Sequence, residues 1–403
     1  MKRYGVIIIA LLALIASQFA VSCNCIEREE ERRSVLLYIA ANNSLASYAE
    51  NCIEDLAKGY LPAYNSKSEV LMVLYHTVNS APKLSRYYRS TKGECTEEII
   101  HTYDISSNSA DISFFTQVIN DVETAYPSKQ HGLILWSHST GWLPEGYYSN
   151  PQEYNDWNLS PRSTVIDPYA DIVKSIHGKS FGEDSGKEIE ISMLSEALQQ
   201  RYEFILFDCC LMGGIEVAYE FKDKCDYVLF SPTEILAQSF PYDTMMDIVF
   251  NAKDREAGLI RICKDYFDYY QSQTGTYQSA TVSIVRTSEL DYLSSICKSI
   301  FGNNRAKMEK VNPSDIQGYF RFNKHWFYDF DDYISRIASA DEYASFTEAL
   351  SRAVIYKAAT ERFLNITIKK YSGLSTYIPN PEYVYLNNFY KTLRWNIATE
   401  MVK

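Results

Sequence analysis

Two runs of the sequence carry residue types that can do chemistry. In HGLILWSHSTGW, apolar residues 133–136 deliver His138 onto a loop that holds Gly141 and Trp142. In FILFDCCLMGG, residues 204–207 deliver Asp208, Cys209 and Cys210 onto a glycine-containing turn. A thiol becomes a nucleophile when its thiolate is favoured and a base or charge partner stands beside it. An imidazole supplies that partner. If the turn opens a helix at Leu211, the macrodipole favours the thiolate further. Cys and His at two strand ends are the minimum set for cysteine nucleophilic catalysis. The spacing alone is equally compatible with a packed thiol and a structural histidine, because unreactive cysteines are commonly buried.

The elements that must position these residues follow from periodicity. Residues 34–41 (SVLLYIAA) are a continuous apolar run, as in a strand buried on both faces. The pattern then predicts a helix over 46–58, a strand over 69–76 and a hairpin from 85–90 and 97–103. A helix capped by Ser109 should run to about 126, with apolar Ile112, Phe115, Ile119 and Val122. Strands are expected at 131–137, 189–193, 204–207 and 227–231, with helices at 194–201 and from 211 to about 221. This alternation predicts an α/β fold with a mostly parallel sheet covered by helices on both faces. Sites in such sheets form outside the carboxyl ends of strands, where both chemical loops lie.

Residues 139–188 interrupt the pattern with prolines, glycines and many charges, and a loop of that length is usually functional. Beyond 251 the expectations are helices at 255–271, 289–301, near 331–339 and at 342–357, and a strand at 279–285. The strand-like IKKYSGLSTYIP and a helix over 386–399 close the chain. The division that results is a catalytic domain at 34–250 and a C-terminal subdomain at 251–403 that completes the sheet or packs on it.

Composition limits the function. The 403 residues are 46% hydrophobic and 22% charged, which is globular. The formal charge is 39 − 51 = −12, so the chain is repelled by phosphate and nucleic acid is not an expected partner. One apolar segment excludes a polytopic membrane protein. In it, Lys2 and Arg3 precede GVIIIALLALIASQFAV, and small residues, Cys23 and the polar run NCIEREEERR follow. That order marks residues 1–22 as a signal peptide. Ala20-Val21-Ser22-Cys23 resembles a bacterial lipobox, with Ala where Leu is usual. The resemblance implies lipidation of Cys23, a charged tether over 23–33 and a lipoprotein of the bacterial cell envelope facing the periplasm or cell surface. The competing outcomes are ordinary signal cleavage and an uncleaved anchor.

No C-x-x-C pair is present, and Cys52, Cys225, Cys263 and Cys297 lie in apolar or amphipathic stretches that suit buried thiols. No histidine or carboxylate pattern indicates a metal. His76 ends a strand and could lie near the site, although a structural role is favoured. His101, His131, His177 and His325 have no partner pattern.

HGLILWSHSTGW and EFILFDCCLMGGIEVAYEF together are similar to the His and Cys motifs of the clostripain family of cysteine peptidases. The similarity extends to YIAANNSLASYAENCIEDL, VLFSPTEILAQSFPYD and YSGLSTYIP, roughly residues 34–400. It implies a caspase-like α/β/α sandwich with a C-terminal mixed α/β extension, and hydrolysis of peptide substrates through an acyl-enzyme. It makes Cys210 the nucleophile, being the Cys directly before Leu-Met-Gly, and His138 the catalytic imidazole. Cys209 stands where the family has a small residue. The backbone N–H groups of Ser139 and Cys210 would hold the oxyanion, with Ser139 replacing the family's glycine. Asp208 would line a pocket selecting Arg or Lys before the scissile bond, against the alternative that it caps the following helix. Glu234 could add pocket charge, and Gln238 lies on the same segment.

The resemblance also implies maturation by cleavage within 139–188, with Arg162, Lys174, Lys179 and Lys187 as candidates. No cofactor is expected. Calcium is known in the family, but Asp167, Asp171, Glu183 and Asp184 form no recognisable binding loop. The rival function is a surface lipoprotein that binds peptide or glycan in the same cleft without turnover.

Overall fold

The computed structural model describes residues 32–154, 167–169, 172–173, 181–322 and 324–403. In chain order the strands are β1 (Arg33–Ala41), β2 (Glu69–Thr77), β3 (Lys83–Arg89), β4 (Cys95–Thr102), β5 (Gln130–Trp136) and a small hairpin of β6 (Phe181–Asp184) and β7 (Lys187–Ile189). They continue with β8 (Tyr202–Asp208), β9 (Cys225–Phe230), β10 (Thr281–Arg286), the short β11 (Tyr328–Asp329) and β12 (Val354–Ala359). Nine of them form one sheet in the order β12-β10-β9-β8-β5-β1-β2-β3-β4. The five central strands from β9 to β2 are parallel, and two antiparallel strands flank them on each side.

The central strands are apolar throughout because both faces are covered. Along β1, Leu36, Tyr38 and Ala40 enter one core while Val35, Leu37 and Ile39 enter the other, the period of two that a pleat imposes. Helices α1 (Ala46–Lys58) and α2 (Ile112–Ala125) lie on opposite faces: Ala49, Cys52 and Leu56 of α1 share the core of Val35, while Phe115, Val118 and Ile119 of α2 share that of Leu36. After α3 (Ile191–Ala197) and α4 (Ile215–Glu220), the face of α1 gains α5 (Tyr242–Asn251) and α6 (Arg255–Gln271), and the face of α2 gains α7 (Leu290–Asn303). This is the caspase-like α/β/α sandwich.

Several expectations at element boundaries are corrected. Asp111, not Ser109, caps α2, its carboxylate accepting from the N–H groups of Ser113 and Phe114. Ser109 is withdrawn into contact with Asp184. The strand expected at 189–193 ends at Ile189, and α3 begins at Ile191. The helix expected to run on to 357 stops at Ala353, and VIYKAA becomes β12, where β-branched and aromatic side chains favour a strand. β12 pairs with β10, so the last part of the chain closes the edge of the sheet. The expected helix 386–399 is divided into Val384–Tyr390 and Arg394–Thr399.

Among the described residues, Cys225, Cys263 and Cys297 are buried thiols whose pKa is pushed up by that burial, and Cys52 is buried as well. No helix of the described residues is long and apolar enough to cross a membrane. Residues 1–31, with Cys23, lie outside the described residues.

Candidate active site

β5 and β8 are parallel neighbours, and Trp136 stands opposite Asp208. His138 and Cys210 each lie two residues further on, so the sheet carries both to the same end of adjacent strands. The two loops are fastened to each other. The Ser139 hydroxyl donates to the Cys210 carbonyl. Gly141 has φ of +67°, and a Cβ there would come within 2.5 Å of the Leu211 carbonyl oxygen. A side chain at Gly141 would therefore push the loops apart. Leu211 itself is left-handed at φ +60°, a costly conformation for a residue with a branched side chain. Hydrogen bonds hold the turn there: Leu211 N–H to Thr233 O at 2.9 Å, and Gly213 N–H to Ser231 O at 2.8 Å.

The turn does not open a helix at Cys210. α4 starts at Ile215, with Gly214 as its cap. The macrodipole expected to favour the thiolate is thus too distant, since that effect fades within the first turn. The helix-cap reading of Asp208 fails for the same reason.

The two thiols have different surroundings. Cys209 Sγ donates to the Leu135 carbonyl of β5 at 3.0 Å. Cys210 Sγ accepts from the Ile235 N–H at 3.3 Å. His138 Nε2 lies 3.0 Å from Ser44 Oγ and 4.0 Å from Glu183 Oε2. Cys210 is 0% and His138 2% exposed.

A separate stretch of the chain packs beside the site. The Ala237 N–H bonds to the Ile172 carbonyl at 3.0 Å, and Val173 pairs antiparallel with Leu236. These contacts lay residues 172–173 along the segment whose Ile235 touches the Cys210 sulfur. Arg321 joins that stretch to the segment after β9. Its guanidinium meets Glu234 Oε1 at 2.8 Å and Asp167 at 2.7 and 3.0 Å. Burial opposes the Arg321 charge, but the two carboxylates outweigh it and hold its pKa above the ordinary value. Burial raises the Glu234 pKa, partly offset by Arg321. Buried Tyr148 also belongs here: its pKa is pushed up by burial first and then by the field of Glu234, and Arg321, Cys210 and Asp167 are near enough to act on it.

Asp208 is fully buried. Its Oδ2 accepts from the Tyr242 hydroxyl at 3.0 Å and, weakly, from the Phe240 N–H at 3.5 Å. Phe240 and Tyr242 line a cavity of about 460 Å³ together with Gln238, Glu54, Asp55 and Asp243.

Acids first considered for calcium have protein partners instead. Asp167 is paired with Arg321. Asp184 Oδ2 sits 3.1 Å from His76 Nδ1, and both side chains are buried. Burial pushes the Asp184 carboxyl up, but hydrogen bonds from His76, the Ser109 N–H and Asn42 prevail and hold it at about 2. Glu183 faces His138. Of the proposed cleavage positions, Lys187 lies in β7, 3.1 Å from Asp111. Arg162, Lys174 and Lys179 lie outside the described residues, as do Asp171 and His177. Sequence reasoning missed Tyr148, Tyr242 and Arg321, and placed Ser44 only in the loop Asn42-Asn43-Ser44 that follows β1. The one available signal was that Ser44 follows the apolar run of β1 at the same sheet end as His138.

Residues 37–157 and 166–399 match the model of the clostripain family (Peptidase_C11). No curated protein sequence matches the chain. Among solved structures, an inactive zymogen C11 protease from Parabacteroides distasonis is 32% identical, with a TM-score of 0.75 over 92% of this chain and 98% of that one. A secreted C11 cysteine protease from Bacteroides thetaiotaomicron, solved with an irreversible peptide inhibitor, is 23% identical, with a TM-score of 0.73 over 92% and 99%.

Proposed function

The chain belongs to the clostripain family of cysteine peptidases, and from that premise we propose an exported endopeptidase in which Cys210 is the nucleophile and His138 its proton carrier. The observation that carries this reading is the fastening of the His138 and Cys210 loops at one end of adjacent parallel strands. Cys210 Sγ attacks the peptide carbonyl. The thiol proton passes to His138 and then to the leaving amine, and water later hydrolyses the acyl-enzyme. The N–H groups of Ser139 and Cys210 are the oxyanion donors. Cys209, committed to the Leu135 carbonyl, does not take part.

With both reactive side chains buried, the intact chain is a closed form. The Parabacteroides distasonis relative is described as an inactive zymogen, and the covered Cys210 supports the same state here. Opening requires residues 172–173 to leave the 236–237 segment, and cleavage within 139–188 would release them. Export rests on the N-terminal signal pattern, with Cys23 as the lipidated residue anchoring the enzyme to the cell envelope. The Bacteroides thetaiotaomicron relative is described as secreted.

Basic selectivity rests on charge. Asp208 sits behind Phe240 and Tyr242, and a substrate's guanidinium or ammonium that reaches it makes a charge-assisted bond. Such a bond is worth about 1.5–3 kcal/mol, roughly tenfold to hundredfold in preference. Glu234 can add to the pocket only by exchanging Arg321 for the substrate.

The deciding experiment compares Cys210→Ala with Cys209→Ala on peptides that differ only in the residue before the scissile bond. The expected result is loss of turnover in the Cys210 variant alone, with cleavage after Arg or Lys by wild type. An active Cys210 variant overturns the assignment. A basic preference that survives Asp208→Asn moves the pocket acid to Glu234.

A further inference from the structure

The two contacts on His138 Nε2 imply a division of labour within its ring. A carboxylate beside a ring nitrogen favours a proton on that nitrogen, because N–H carries the positive end of the dipole. Glu183 and the Ser44 hydroxyl both approach Nε2. We propose that Ser44 and Glu183 are positioning residues of the catalytic centre: Ser44 accepts from Nε2–H and fixes the ring, while Glu183 stabilises the imidazolium, leaving Nδ1 to take the thiol proton. This deepens the peptidase reading above and rests on it.

Both partners are held by structure and not by chance of rotamer. Ser44 follows β1, and the Asn43 beside it donates to the Glu183 carbonyl at 2.6 Å. Asn42 donates to Asp184 Oδ1 at 2.8 Å. The hairpin of β6 and β7 is attached to the His138 loop through the Gly182 N–H, which bonds to the His138 carbonyl at 3.1 Å, and through Phe181, which pairs with Ser139. The loop, the hairpin and the histidine therefore form one triangular unit, with Glu183 as its charged corner.

The other charges around the unit are committed elsewhere. Asp184, next on the hairpin, turns to His76 and Ser109. Loop 42–44 brings only neutral side chains. The end of β8 brings Asp208, bonded to Tyr242, and the turn after it brings the Cys210 thiol. Glu234, Arg321 and Asp167 satisfy one another. Glu183, 24% exposed at its side chain, is thus the acid placed to act on the ring.

In the reaction the proton leaves Cys210 Sγ for His138 Nδ1, giving thiolate and imidazolium. The imidazolium then gives that proton to the leaving nitrogen as the C–N bond breaks. The reactive ion pair is lost on the alkaline side when the imidazolium deprotonates. An opposite charge within about 4–6 Å moves such a pKa by roughly one unit or more.

The test is the pH dependence of kcat/KM on a basic peptide substrate, measured on the processed full-length enzyme. Wild type is compared with Glu183→Gln, Glu183→Asp and Ser44→Ala, each first checked by thermal unfolding. Glu183→Gln should bring the alkaline limb down by about one pH unit, and Glu183→Asp should restore part of it. Ser44→Ala should lower kcat by about tenfold, the worth of one neutral hydrogen bond, with KM and the limb unchanged. A Glu183→Gln profile that superimposes on wild type, or that differs only in height, overturns the role of Glu183. An unaltered kcat in Ser44→Ala overturns that of Ser44. Wild type that cleaves no peptide, with Cys210 unlabelled by a thiol reagent, overturns the peptidase reading and this inference with it.

Discussion

Two histidines end neighbouring regions of the same sheet, and each meets an acid from the same hairpin. His76 closes β2 and lies 3.1 Å from Asp184, with both side chains 1% exposed and Ser109 Oγ 2.9 Å from the ring. His138 follows β5 and lies 4.0 Å from Glu183, whose side chain is partly open to solvent. Glu183 and Asp184 are consecutive, so the strand pleat sends them to opposite sides. One pair is buried, with Ser109 and Asn42 hydrogen-bonded to it. The other is a longer contact, open to solvent at its carboxylate. A sealed pair serves the fold, and a looser one can serve a reaction, because a proton that must move cannot be locked into a dry network.

This contrast can be broken most sharply at the histidines. His138→Ala should reduce peptide turnover on the order of 10⁴-fold, as loss of a member of a catalytic unit does. His76→Asn should alter turnover per folded molecule far less. Comparable losses measured at equal folded fraction would erase the distinction.

The acids give the next effect. Asp184→Asn breaks a buried pair and should cost about 3–5 kcal/mol in chemical denaturation. Glu183→Gln, on a partly exposed side chain, should stay within about 0.5 kcal/mol. Equal costs would mean that Glu183 is part of the framework.

Acid titration gives a smaller and more specific effect. The Asp184 carboxyl has a depressed pKa in the folded chain, so its stabilisation is present above the unfolded carboxylate range and is lost as pH falls through about 2. The amount is about 2–3 kcal/mol, lost between roughly pH 4 and 2. Wild type should show this loss in unfolding midpoints over that window, and Asp184→Asn should lack it. A variant that keeps the full acid dependence would assign the effect to another carboxylate.

Much of the architecture was legible because apolar runs have few solutions. SVLLYIAA and HGLILW read as strands buried on both faces and form β1 and β5, and the helix expected at 46–58 is α1. Boundaries failed where a side chain was recruited from outside its own element. Ser109 looks like a cap but serves Asp184. VIYKAA continues a helical pattern until the edge of β10 offers it hydrogen bonds. Leu211 resembles a helix start but is held left-handed by Thr233 and the segment after β9.

The sequence by itself determined the parallel sheet, the two strand ends and the residue types at them, since these depend on local periodicity and on motifs that stay contiguous. Tertiary structure decided what surrounds each group. Ser44, Glu183 and His138 come from three separate stretches, as do Asp167, Glu234 and Arg321. Their meeting depends on long-range packing, where a carboxylate's neighbour, and not its own identity, fixes whether it pairs with a guanidinium, an imidazole or backbone N–H groups.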